Sequence, residues 1–189
     1  MGQIPKAGVG TYAVCNTGPL ISAFQSVSFS LFAQIFTGIY LSSVCVSEPI
    51  RHGWEAEVRV ATPPLVVVSL TVDEEQQAYT IAEQIAQHPH NNDPIIENHL
   101  GEAQAIRLAL RPEHQENVLL LDELAARAVA KQLGIRLSGF PGVLLLAVQA
   151  GLITADELKS CLQRCRQQGT HYGVPFIQQV FEMARQGRR

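Results

Sequence analysis

Short apolar runs alternate along this chain with segments whose apolar residues recur at helical spacing, which restricts it to few folds. Residues 118–121 are Val-Leu-Leu-Leu and stop at Asp122. Residues 11–16 are β-rich and stop at the turn-forming run Asn16-Thr17-Gly18-Pro19. Residues 65–72 form the clearest strand, and shorter ones fall near 39–41 and 135–137. Strands that are apolar throughout must be covered on both sides. The pattern therefore predicts a parallel sheet with helices on both faces, an α/β class fold.

Between the strands, the spacing predicts a helix over 22–36, where Phe24, Val27, Leu31, Phe32, Ile35 and Phe36 repeat. Others are expected over 44–51, where Pro49 fits poorly, and over 73–87 and 100–110, the latter with Glu102 in its first turn. A further helix starts at Asp122 or Glu123 and closes at Gly134. Residues 142–150, 154–167 and 174–185 complete the set, with Thr154 and Glu157 spaced as a capping box. Residues 52–64 are mixed and give no regular pattern. No internal repeat and no second boundary is evident. The expected organisation is one domain over 1–189, with a core about 11–153 and a C-terminal helical extension, 154–189.

The formal net charge is -3, which excludes a whole-surface attraction to nucleic acid and leaves only local patches for it. One such patch is C-terminal. Residues 151–189 carry Lys159, Arg164, Arg166, Arg185, Arg188 and Arg189 against Asp156, Glu157 and Glu182. The apolar stretch 19–46 is interrupted by Gln25, Ser26, Ser28, Ser30 and Gln34, too often for a membrane span. No secretory signal is read, so the expected compartment is the cytoplasm, with reduced thiols. Cys15 and Cys45 lie in apolar runs and read as buried. Cys161 and Cys165 are one helical turn apart but have no partner pair at zinc-site spacing.

In an α/β sheet the site lies beyond the carboxyl ends of the strands. Asn16 and Thr17 follow one such end, and Asp122 and Glu123 follow another. If the two strands are neighbours, Asn16, Glu102, Asp122 and Glu123 converge into an oxygen-rich cluster of the kind Mg²⁺ or Mn²⁺ requires. Each residue also has a plainer reading. Asp122 serves equally as an N-cap, Glu102 as a favourable charge on a helix dipole, and Asn16 as a turn residue. His88 and His90 near Asp93 read as a solvated loop.

Several motifs in order resemble the PIN-like family, in its toxin-like subgroup. They are A-V-C-N-T-G-P-L-I at 13–21, L-G-E-A-Q-A-I at 100–106, L-L-L-D-E-L-A-A-R-A-V-A-K-Q-L-G-I at 119–135 and S-G-F-P-G-V-L-L-L-A-V-Q-A-G-L-I at 138–153. The resemblance implies a three-layer α/β/α sandwich with a central, mostly parallel sheet. It also implies a Mg²⁺- or Mn²⁺-dependent ribonuclease, often the toxin of a toxin–antitoxin pair with a small antitoxin partner. Family metal positions fall on Asn16, Glu48, Glu102 and Asp122, with Glu123 in support, and Glu102 and Asp122 as the catalytic pair. Thr17 would orient a ligand or phosphate. Arg127 and Lys131 would reach substrate phosphate, or else lie on a solvated helix face. The expected assembly is a homo-oligomer, a dimer.

The chain departs from the nuclease pattern in three places. Asn16 replaces the first aspartate, Leu137-Ser138-Gly139-Phe140 carries no later acid, and Pro49 follows Glu48. Two functions therefore stand: a metal-dependent endoribonuclease, or a catalytically weak or inactive PIN-like module that binds protein or nucleic acid. A receiver-like phosphorylation domain would need an acidic pair after the first strand, and residues 11–17 have none.

Overall fold

Ala13, Val14 and Cys15 have no polar side-chain surface to solvate, and in the computed structural model they form the innermost strand, at most 1% exposed. The structure describes residues 11–187 apart from 52, 62, 63 and 171, and of Glu48 only the backbone. Strand β1 (Tyr12–Cys15) pairs in parallel with β2 (Gly38–Ser42) on one side and β4 (Val118–Leu120) on the other. With β3 (Leu65–Val68) and β5 (Leu137–Ser138) the sheet order is β3-β2-β1-β4-β5, parallel throughout. Chain order runs outward from β1 to β3, then restarts at β4. The switch point thus lies between β1 and β4, which sets Cys15 opposite Leu120.

Helices α1 (Thr17–Gln25), α2 (Ser30–Ile35), α3 (Ser43–Arg51), α4 (Glu55–Arg59) and α5 (Val72–Ala86) occupy the first half. Helices α6 (Leu100–Ala109), α7 (Leu124–Gln132), α8 (Phe140–Gln149), α9 (Ala155–Gln167) and α10 (Val174–Gln186) follow. The arrangement is the expected α/β sandwich around a parallel sheet.

Three local expectations need correction. The single helix over 22–36 is two, because α1 ends in a C-terminal cap. Val27 N–H bonds to Phe24 O, Ser28 N–H to Ala23 O, and Val27 takes the left-handed conformation at φ 55°. The strand over 65–72 stops at Val68, because Thr71 instead caps α5. Its hydroxyl accepts from Glu74 N–H, while the Glu74 carboxylate accepts from Thr71 N–H. Residues 52–64, read as patternless, contain α4.

Pro49 lies inside α3, where it can give no hydrogen bond to the carbonyl four residues back, that of Cys45. The Thr17 hydroxyl donates to that oxygen instead, at 3.2 Å. The C-terminal helices pack on the rest of the chain. Arg164 Nη1 donates to Ser26 O, Cys165 Sγ to Ser22 O and Gln168 Nε2 to Gln25 O, at 3.2, 3.2 and 3.0 Å. Among the described residues no helix is long and apolar enough to cross a membrane.

Candidate functional site

The backbone of Asn16 continues the β1–β4 ladder by one residue, its N–H bonding to Leu120 O at 3.0 Å. That bond fixes the Asn16 side chain beyond the strand end, where it is 4% exposed. Its Nδ2 donates to Glu102 Oε1 at 3.0 Å. Its Oδ1 accepts from the Cys45 thiol at 3.4 Å, and that thiol also lies 3.3 Å from Gly101 O. These contacts on both ends of the amide determine which way it faces. A Cβ at position 101 would lie in van der Waals contact with Asn16 Oδ1 at 3.4 Å. Burial raises the Glu102 carboxyl above its usual range, and the nearby Glu123 charge adds to this. The Asn16 hydrogen bond and His99 act against it.

Asp122 follows β4 and faces a different set of donors. Its Oδ1 accepts from Phe140 N–H at 2.9 Å, at the start of α8. Its Oδ2 accepts from the Tyr172 hydroxyl at 3.0 Å. That hydroxyl also lies 3.3 Å from Ser22 Oγ. Burial raises the Asp122 carboxyl despite both donors and the charge of Arg127. Burial and the Asp122 charge together push the Tyr172 phenol far up, so it stays protonated and is a permanent donor.

The remaining predicted residues are engaged elsewhere. Glu123 caps α7, its two oxygens accepting from Ala125 N–H at 3.0 Å and Ala126 N–H at 2.6 Å. Thr17 directs its proton to Cys45 O. Arg127 is neither a solvated side chain nor aimed at the surface. Its Nη1 donates to Leu121 O at 2.6 Å and Ser138 O at 2.7 Å, clamping the ends of β4 and β5. Lys131 is exposed in the last turn of α7, at the end away from Asp122. Glu48 lies on α3, and its side chain is outside the described residues.

The structure thus brings Asn16 and Glu102 into contact, and it ties Asp122 to Phe140 and Tyr172. Cys45 and Tyr172 escaped the sequence reading. The Cys45 signal was its place one turn before Pro49. Tyr172 sits in a polar connection with no periodicity to mark it.

The parallel five-stranded sheet flanked by helices, with Asp122 just beyond the end of β4 and Glu102 in the first turn of α6, defines an α/β sandwich. The chain belongs to the PIN-domain family, whose model it matches over residues 12–186. Comparison with curated proteins and with solved structures returns no significant match.

Divalent-metal dependence is general among PIN domains. A Mg²⁺-type ion needs oxygen lone pairs turned to one point. The described residues do not fit that need. Asn16 turns an N–H, not an oxygen, towards Glu102, and both Asp122 oxygens accept from protein donors. No group of three or more His, Cys, Asp or Glu among the described residues is arranged to hold an ion.

Proposed function

We propose that this chain is a PIN-fold module that binds nucleic acid, with little or no metal-dependent cleavage of its own. The observation that carries this reading is the Asn16 amide, which gives a donor to Glu102 where a cation would need an acceptor. The contact surface in this reading is the basic C-terminal segment, where Arg166 is exposed and Lys159 is held by Gln178 and the Phe181 ring. A chain of net charge -3 needs such a local patch. The whole chain acts as one unit in the cytoplasm, as a dimer.

The test is a fluorescence-anisotropy titration with labelled single-stranded RNA, run beside a cleavage assay in Mg²⁺ and in Mn²⁺. Binding without product is the expected result. Cleavage that disappears in both Glu102→Gln and Asp122→Asn would reverse the reading.

A second reading is the Mg²⁺- or Mn²⁺-dependent endoribonuclease, the toxin partner of a small antitoxin protein. One observation favours it. Glu102 and Asp122 are both raised by burial, so the site disfavours their negative charge and a cation there would be stabilising.

A further inference from the structure

The protein supplies a donor to each carboxylate of the candidate site, and the donors come from three separate elements. Asn16 Nδ2 reaches Glu102 from the end of β1, and Phe140 N–H reaches Asp122 Oδ1 from the start of α8. Tyr172 reaches Asp122 Oδ2 from the connection between α9 and α10. We infer that these protein donors stand in for a divalent cation, and that Asn16 and Tyr172 are the two side chains that keep an ion out of this acidic site.

Phe140 N–H leaves Asp122 Oδ1 a second lone pair, so it does not by itself exclude a ligand. The Tyr172 hydroxyl is different, because it brings a ring against the second oxygen. That ring is only 8% exposed and packs on Phe176, with centroids 5.8 Å apart. Ser22 Oγ stands 3.3 Å from the same hydroxyl and holds it over Asp122. An ion that takes both Asp122 oxygens, or Oδ2 alone, would have to displace a buried phenol. At Glu102 an ion would have to turn the Asn16 amide over, breaking its contact with the Cys45 thiol. The inference rests on the same Asn16–Glu102 contact that carries the function proposed above, but it is read by metal binding rather than by RNA binding.

The test is Mn²⁺ binding to the full chain, read by the loss of the free-ion electron paramagnetic resonance signal. The proteins are wild type, Asn16→Asp, Tyr172→Phe and the double variant. The wild type is expected to bind weakest. Each single change tightens binding by roughly tenfold, the scale on which groups around a metal ligand act, and the double variant binds tightest. Melting curves with and without Mn²⁺ provide a second readout. Mn²⁺ should raise the melting temperature of Asn16→Asp and leave that of the wild type unchanged. If Tyr172→Phe does not fold, Asn16→Asp decides alone. Wild-type binding as tight as that of Asn16→Asp overturns the inference. So does weaker binding in Tyr172→Phe, which would make the hydroxyl a support for a metal ligand.

Discussion

Thr17 donates its hydroxyl proton to the carbonyl of Cys45 at 3.2 Å, four residues before Pro49, which has no N–H of its own to give. The start of α1 and helix α3 are therefore joined by this hydrogen bond beside Asn16. Removing the hydroxyl with Thr17→Val removes one hydrogen bond from this buried junction, at a cost of about 1 kcal/mol. Pro49→Ala returns an N–H to α3, so in that background Thr17→Val should cost less. A double-mutant cycle from urea melts is expected to show a coupling of roughly 1 kcal/mol. Equal costs of Thr17→Val in the two backgrounds would mean that the hydroxyl does not replace the missing helical bond.

Gly139 is the N-cap of α8, and its extended backbone needs no special conformational freedom. Its absent side chain matters for space. A Cβ there would collide with Asp122 Oδ1 and press on Arg127 Nη1 and Leu121 O, both at 3.3 Å. Asp122 cannot yield easily, because Phe140 N–H and the Tyr172 hydroxyl hold it. Gly139→Ala should destabilise the fold by about 1–3 kcal/mol, the usual penalty for overpacking. Calorimetry gives the cost, and the amide signal of Phe140 reports whether the carboxylate has moved.

Stability should depend on pH in two opposite ways. Glu74 caps α5 and pairs with Arg111 at 2.7 Å, which holds its carboxyl down at about 2. Its contribution is present above the ordinary 4.5 and is lost as pH falls towards about 2. Glu102 is raised by burial, so its sign reverses. The native state binds the proton more readily, and stability declines as pH rises from 4.5 through the raised value. In melts taken across pH, Glu74→Gln should flatten the acid limb and Glu102→Gln the limb above it. If Glu102→Gln leaves the upper limb intact, the carboxylate is not strained by its burial.

The sheet was legible because the last three residues of β1 and the Leu119-Leu120-Leu121 run that closes β4 are buried and carry no polar residue before Asn16 and Asp122. Glu102 was legible from its place in the first turn of α6. The capping box at Thr71 and Glu74 was present but hidden, because the β-branched run from Leu65 continues into Thr71 and Val72. Tyr172 was not legible. It meets Asp122 across 50 residues of chain, through the packing of α9 on α1, which no local pattern encodes. The direction of the Asn16 amide was equally out of reach, since it is set by Glu102 and Cys45 from two distant helices.

Val27 concealed the end of α1 and offers the clearest way to stabilise the chain. Helices α7, α8 and α9 end with the same pair of backbone bonds and place Gly134, Gly151 and Gly169 at the left-handed position. Helix α1 makes those bonds with Val27 at φ 55°. A β-branched side chain there suffers the steric conflict that glycine avoids, at about 1–2 kcal/mol. The Val27 side chain is 82% exposed, so its loss gives up little burial. Val27→Gly should therefore stabilise the protein by about 1 kcal/mol, after part of the gain is offset by the freer unfolded chain. Thermal and urea melts should both move upward. The Ser26 and Ser28 hydroxyls, 2.7 Å apart across the turn, should keep their hydrogen bond. A lower melting temperature would mean that Val27 contributes contacts which outweigh its strained backbone.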